Sequence, residues 1–184
     1  MTRRPLVILV TGAPGAGKST LAATIAEHMR LPHIERDVIL RGIDLTHGSR
    51  QNPLEYGIPA YYNVLGFLLD NSVSFVTDGT MYRGVSEEDI KQHLVRRAHV
   101  VNLHVRAENE KERFRRREYA RTFRSADWVD AHMARLDEIY SDTVDPLDYG
   151  VTCIEVDANE AYIPSIEEIT AEITNEYEHS KEKT

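Results

Sequence analysis

Apolar positions fall in two alternating patterns along this chain: short uninterrupted runs, and stretches spaced three and four residues apart. "LVILV", Leu6 to Val10, is of the first kind and predicts a strand buried on both faces. Leu21, Ala22, Ile25, Ala26 and Met29 then share one helical face. "PHIE" predicts a short second strand and "RDVILRGI" a helix. The turn-rich "DLTHGSRQNP" predicts a loop ahead of a helical stretch that ends in "NVLGFLLDN". "VSFVTD" predicts a third strand, and "SEED", Ser86 to Asp89, a capping box that opens the next helix. "HVVNLHV" predicts a fourth strand. A charged helix follows from near Glu108, then an interruption at "RTFRSAD" and a helix from Trp128 to Tyr140. "VTCIEV" predicts the fifth strand and "SIEEITAEITNEY" a closing helix, with "EHSKEKT", residues 178–184, as a frayed polar tail. Strands alternating with helices predict an α/β fold: a five-stranded parallel sheet with Leu6–Val10 central and helices on both faces.

The 184 residues show no repeat, linker or low-complexity segment, so one domain with a sizeable core is expected. A hydrophobic share of 41% beside 28% charged residues places the chain with ordinary globular proteins. The net charge of −8 weighs against a general nucleic-acid binder, because a phosphate backbone attracts basic surface. It leaves a local basic site open. The single cysteine, Cys153, excludes an internal disulfide and weighs against a cysteine-based zinc site, which points to a reducing compartment. "MTRRPLVILV" starts with the charge of a signal peptide, but its apolar run is too short and "TGAPGAGK" follows at once. No stretch is long enough to span a membrane, so the expected location is the cytoplasm.

Between the first strand and the first helix stands "TGAPGAGKST". Gly12, four residues, Gly17, Lys18 and Ser19 form the P-loop pattern, in the strand–turn–helix setting it requires. Missing Cβ atoms let backbone N–H groups curl around phosphate oxygens, and the helix N-terminus adds positive potential. Gly12, Ala13, Pro14, Gly15, Ala16, Gly17, Lys18, Ser19 and Thr20 are therefore the expected cradle for the phosphates of ATP. Lys18 is expected to reach the terminal phosphates and the Ser19 hydroxyl to ligate Mg²⁺. The alternative, a glycine-rich turn of no function, is outweighed by the flanking strand and helix.

Two carboxylates follow at strand ends. Asp37 stands at the carboxyl end of the second strand, the edge where ligands bind in such sheets. There it can take the proton of an acceptor hydroxyl during in-line phosphoryl transfer, and it can also cap the next helix. Arg36 and Arg41 are expected to hold an anionic or polar substrate, or to keep Asp37 ionised. Asp78 ends "VSFVTD" in the Walker-B shape and is expected to hold the Mg²⁺ shell or the substrate. Thr80 and Arg83 follow on the same rim as substrate-binding residues, although Asp-Gly is also a plain turn signal.

"KERFRRREYARTFR" crowds Arg113, Arg115, Arg116, Arg117, Arg121 and Arg124 onto one helix and its exit. Some of them pair with Glu108, Glu110, Glu112 and Glu118. Phosphoryl transfer also needs cations that close over the phosphates and exclude water. Residues 113–127 are the expected lid, with Arg113 and either Arg116 or Arg117 facing the phosphates.

These motifs, in this order, resemble the P-loop kinase group of chloramphenicol phosphotransferase-like enzymes, zeta-toxin-like kinases and the kinase domain of phage polynucleotide 5′-kinases, an ATP-binding domain of the AAA_33 type. The likeness runs from "VILVTGAPGAGKSTLA" through "ERDVILRG", "VTDGTMYR" and "ENEKERFRRRE" to "IEVDAN". It implies the P-loop NTPase fold with an arginine-rich lid, and ATP and Mg²⁺ as cofactors. It places the catalytic base on Asp37 with Arg36 beside it, the D-x-T pair on Asp78 and Thr80, and the lid arginines on Arg113 and Arg116 or Arg117. The serine that often follows the lid is matched by Ser125. Ile43 to Tyr62, where such kinases select their acceptor, matches no motif.

Three functions fit. The first is ATP-dependent phosphorylation of a hydroxyl on a small molecule: a metabolite, a nucleoside-like compound or an antibiotic. The acidic net charge and the apolar, aromatic "YGIPAYYNVLGF" favour it. The second is a polynucleotide 5′-hydroxyl kinase, favoured by the "RD" pair and the basic lid but lacking a basic stripe elsewhere. The third is a non-catalytic, nucleotide-dependent interaction module, in which Asp37 is incidental. The oligomeric state has no signature in the sequence.

Overall fold

A computed structural model describes residues 4–47, 53–120 and 126–180. The first strand, β1 (Leu6–Gly12), is buried along its whole length. α1 (Lys18–Met29), β2 (His33–Glu35), α2 (Arg36–His47), α3 (Pro53–Asp70) and β3 (Phe75–Asp78) follow. α4 (Ser86–Ile90) runs into a π-helical turn over Lys91–Val95 and leads to β4 (His99–Arg106). Then come α5 (Glu110–Ala120), α6 (Ala126–Ala134), α7 (Leu136–Ser141), β5 (Thr152–Ala158), β6 (Tyr162–Ile163) and α8 (Ile166–His179).

The strands lie in the order β2-β3-β1-β4-β5-β6, with β1 interior and every pairing parallel except the last. The expected five parallel strands are all present. A sixth, two-residue strand turns back antiparallel on β5, pairing Asp157 with Ile163 and Ala158 with Tyr162. Two residues are too few to show a period, so the sequence carries no sign of it.

Alternate residues of β1 feed opposite cores, as strand geometry requires. Leu6, Ile8 and Val10 pack with Leu21 and Ile25 of α1 and Ile169 and Ile173 of α8. Val7 and Leu9 pack on the other face with Tyr61 and Leu65 of α3, Ile90 and Leu94. The register sets Val10 beside Asp78 and Gly12 beside Val105, so β1, β3 and β4 end along one edge with the P-loop above it. Below that edge the buried Thr11 hydroxyl donates to Asn102 Oδ1 at 3.1 Å.

Several expected boundaries move. α2 extends to His47 and α3 begins at Pro53, so the expected loop shrinks from both ends. Val73 and Ser74 fall outside β3, and the Ser74 hydroxyl instead accepts from Leu6 N. The Ser86 capping box does not form: Val85 is the N-cap, and the Ser86 hydroxyl accepts from Tyr82 N within the preceding turn. The capping box stands at Ser165, whose hydroxyl accepts from Glu168 N while Glu168 Oε2 accepts from Ser165 N. The helix expected from Trp128 to Tyr140 is broken at Arg135 into α6 and α7. Helix α8 runs to His179, two residues into the stretch expected to fray.

Candidate active site

The P-loop leaves β1 at Gly12 and enters α1 at Lys18. Two of its glycines are required by close approach. Gly12 has φ +136°, and a Cβ there would lie 2.3 Å from the Val105 carbonyl oxygen. Gly15 has φ +92°, and a Cβ there would lie 2.1 Å from the Glu110 carbonyl oxygen in the first turn of α5. The loop is thereby held between β4 and α5. Its outer side packs into a third apolar cluster, Ala13, Phe114, Leu136 and Tyr140, and the Tyr140 hydroxyl donates to the Pro14 carbonyl. Gly17, the N-cap of α1, offers no side-chain acceptor, so the first-turn N–H groups are left for an anion.

Lys18 is buried and its Nζ donates to the Ala13 carbonyl at 2.9 Å, across the loop. Desolvation lowers its pKa to about 8, against upward pulls from Asp37 and Asp78; Arg117 lowers it further. Ser19 Oγ donates to Asp78 Oδ2 at 2.6 Å, so the hydroxyl and carboxylate read from the sequence as metal-holding meet at one point. Among the described residues no group of three or more His, Cys, Asp or Glu is arranged to hold a metal. One carboxylate and one hydroxyl suit an ion that keeps waters and takes its other ligands from phosphates.

Asp78 carries a partner that the sequence did not announce. His33 of β2 donates from Nε2 to Asp78 Oδ1 at 2.8 Å. Both carboxylate oxygens are thus directed before any ligand arrives. The signal was the strand phase: His33 pairs with Val76 and Glu35 with Asp78, which puts His33 on the Asp78 face of the sheet. Only the pairing of β2 with β3 makes that readable.

Asp37 is exposed in the first turn of α2, and among the described residues its carboxylate has no hydrogen-bond or ion-pair partner. Its negative charge raises the Lys18 pKa more than any other group's does. Arg36, the residue before Asp37, is not exposed with it. It is buried, donates from Nη1 to the Thr80 carbonyl, and forms no ion pair with Asp37. Thr80 is half-buried, and its carbonyl is what Arg36 holds. Arg41 is exposed one turn beyond Asp37 on α2. Arg83 is exposed and turned to Asp145 at 3.4 Å.

The described part of the lid is α5 and its continuation from Ala126; Arg121, Arg124 and Ser125 lie outside the described residues. Arg113 lines a cavity of about 310 Å³ with Gly17, Thr20, Asn159 and Tyr162. Arg117 stands over the Phe114 ring at 5.4 Å, donates to the buried Glu118 at 3.3 Å, and acts electrostatically on Lys18. Arg116, exposed like the other two, is not among the residues lining that cavity and does not act on Lys18. The wall of the cavity formed by the β5–β6 turn was not singled out by any site residue read from the sequence.

Residues 7–146 match the model of a family described as an AAA domain, AAA_33. The chain belongs to that family, a P-loop kinase domain. It is 36% identical over 73 residues to adenylate kinase of Chlamydia trachomatis, which covers 40% of this chain and 28% of that protein. It is 42% identical over 38 residues to cytidylate kinase of Halobacterium salinarum, covering 21% of this chain and 20% of that protein. The chain thus spans only 20% to 36% of the length of the curated relatives it matches. Among solved structures it resembles a candidate kinase of Chloroflexus aurantiacus, with a TM-score of 0.71 at 19% identity over 95% of this chain and 99% of that one. It also resembles a gluconokinase of Sinorhizobium meliloti, with a TM-score of 0.62 at 18% identity over 100% and 99%. At such identities the structural likeness shows the fold. No helix among the described residues is long and apolar enough to cross a membrane.

Proposed function

We propose that this P-loop kinase domain moves the γ-phosphoryl group of Mg·ATP to a hydroxyl of a small molecule. The observation that carries the reading is Asp37, an exposed, unpartnered carboxylate at the strand edge whose charge reaches Lys18. A carboxylate kept free of partners there costs the fold a capping or pairing interaction and leaves a base facing the phosphates. Lys18 and the N–H groups of the P-loop hold the β- and γ-phosphates, and the cavity beside Arg113 takes the nucleoside. Mg²⁺, when held at Ser19 and Asp78, offsets phosphate charge. Arg113 and Arg117 face the charge that spreads over the transferring group, while Asp37 orients the acceptor hydroxyl and takes its proton. Arg41, Thr80 and Arg83 form the outer rim on the acceptor side.

A polynucleotide acceptor is the second reading, supported by the "RD" pair and the basic lid, while the likeness to a component of the Pnkp1/Rnl/Hen1 RNA repair complex, with a TM-score of 0.52 at 19% identity, concerns the fold. The net charge of −8 favours the small molecule. The test offers γ-labelled ATP with a panel of hydroxyl compounds and a 5′-hydroxyl oligonucleotide. Label in a small compound supports the first reading, and label on the oligonucleotide alone the second. ATP binding without transfer to any of them supports the interaction module.

A further inference from the structure

The start of α2, next to Asp37, holds a cation that the phosphate machinery does not use. Arg36 is 8% exposed. Its side chain crosses Gly79 so closely that a Cβ there would lie 2.8 Å from Arg36 Cδ. Nη1 is spent on the Thr80 carbonyl and lies 4.0 Å from the Met81 sulfur. Among the described residues no carboxylate pairs with the guanidinium, and Nε and Nη2 have neither a protein acceptor nor a seal against solvent. A charge taken this far out of water without a counter-ion is costly to the fold, and an arriving anion offsets that cost. The planar donor pair left open is the geometry that takes carboxylate or phosphate oxygens.

Tyr82 stands two residues after Thr80, within electrostatic reach of the guanidinium. Its hydroxyl has no protein partner among the described residues, and the side chain is half-buried on the β3–α4 connection. Burial raises the phenol above its usual range; Arg36 and Arg135 pull it back, and Asp37 and Asp142 push it up. Arg36 directly precedes Asp37 at the start of α2, and its guanidinium is bonded to Thr80, two residues beyond Asp78 and two before Tyr82. The open donors and the Asp37 carboxylate therefore belong to the same sheet edge, and the charge of Asp37 acts on both Lys18 and Tyr82.

We propose that the acceptor is a small hydroxyl compound that also carries an anionic group, carboxylate or phosphate, held by Arg36 with the Tyr82 hydroxyl. This rests on the reading of Asp37 as the group that receives the acceptor hydroxyl. It narrows the acceptor class from any alcohol to hydroxy acids and sugar phosphates.

The test uses the full chain saturated with Mg²⁺ and a non-hydrolysable ATP analogue, titrated calorimetrically with matched compounds: glycerate, glycerol 3-phosphate and glycerol; gluconate and glucitol; ribose 5-phosphate and ribose. At least one acid is expected to bind tenfold or more tightly than its neutral counterpart, and the carboxylate and phosphate arms tell which anion is preferred. Arg36→Gln keeps a donor for the Thr80 carbonyl and is expected to erase most of that advantage, with Arg36→Lys retaining part of it. Equal binding of neutral and anionic partners, no binding by any acid, or an advantage that survives Arg36→Gln overturns the proposal. Should Arg36→Gln not fold, the wild-type comparison decides alone. Replacing the analogue with ATP separates the two readings. An acid that binds at Arg36 but is never phosphorylated sinks the kinase reading and leaves the anion site. A neutral compound phosphorylated without any preference for acids does the reverse.

Discussion

Replacing Lys18 by methionine should stabilise the protein and destroy its chemistry together. The side chain is buried beneath the P-loop, and its pKa falls from the ordinary 10.5 to about 8, chiefly by desolvation. At 1.36 kcal/mol per pH unit, holding it charged at pH 7 costs the fold about 3 kcal/mol. Methionine keeps the length of the chain and carries no charge. It forfeits the bond from Nζ to the Ala13 carbonyl, but that oxygen still accepts from Ala16 N at 3.2 Å, so the loss is about 1 kcal/mol. The net gain is about 2 kcal/mol at pH 7, or roughly 4–8 °C in Tm for a chain of this size. The sign fixes the pH window. Between the folded value near 8 and the unfolded 10.5, the unfolded wild type binds more protons than the folded, so the wild type gains stability as pH rises. The advantage of Lys18→Met should therefore shrink through that window and reverse above it, to a deficit of about 1 kcal/mol from the lost Nζ bond. Urea unfolding of both proteins at pH 7, 8, 9 and 10 measures the difference, in which other titrating groups cancel. A Mg·ATP analogue at about a hundredfold its Kd should add roughly 2.7 kcal/mol to the wild type alone and reverse the order. A Lys18→Met protein no more stable at pH 7, or an advantage that stays constant with pH, would refute the reasoning.

Two further substitutions probe the frame of the site. Gly15→Ala and Gly17→Ala both place a side chain at positive φ, but only Gly15 faces backbone, the Glu110 carbonyl. Gly15→Ala is expected to lower Tm clearly more than Gly17→Ala and to weaken nucleotide binding about tenfold through displacement of α5; equal thermal melts would contradict the clash. His33→Ala leaves Asp78 Oδ1 without its partner. It should raise the Mg²⁺ concentration needed for half-maximal ATP binding by about tenfold with little change in metal-free ATP affinity. An unchanged Mg²⁺ requirement in calorimetry would make His33 a packing residue.

The parts of the site that were legible in the sequence are those fixed by contiguous chain. An apolar run, a glycine-spaced turn and a lysine suffice to place β1, the P-loop and α1, because each is set by its own residues and nearest neighbours. Asp78 was legible for the same reason, at the end of a buried strand. What was not legible depends on register or helical phase. "RD" offers two candidates for the cleft, and only the phase at which α2 begins sends Asp37 to solvent and Arg36 beneath Gly79. His33 meets Asp78 through strand pairing across 45 residues. Arg113, Arg116 and Arg117 look alike in sequence. All three are exposed, but only Arg113 lines the cavity beside Gly17 and only Arg117 acts on the Lys18 charge. Ser86 and Ser165 both open a capping pattern, and a turn bond from Tyr82 N claims the first.

The central claim is that Asp37 makes this P-loop domain a kinase, and Asp37→Asn tests it most directly. The amide keeps the shape and loses no hydrogen bond that Asp37 makes among the described residues, but it cannot take a proton. The measurement is γ-label transfer from ATP to the best acceptor found in the panel, alongside ATP affinity, for both proteins. The account predicts ATP affinity close to wild type, little change in Tm, and transfer slowed by about two orders of magnitude or more. Transfer at the wild-type rate by Asp37→Asn would contradict it.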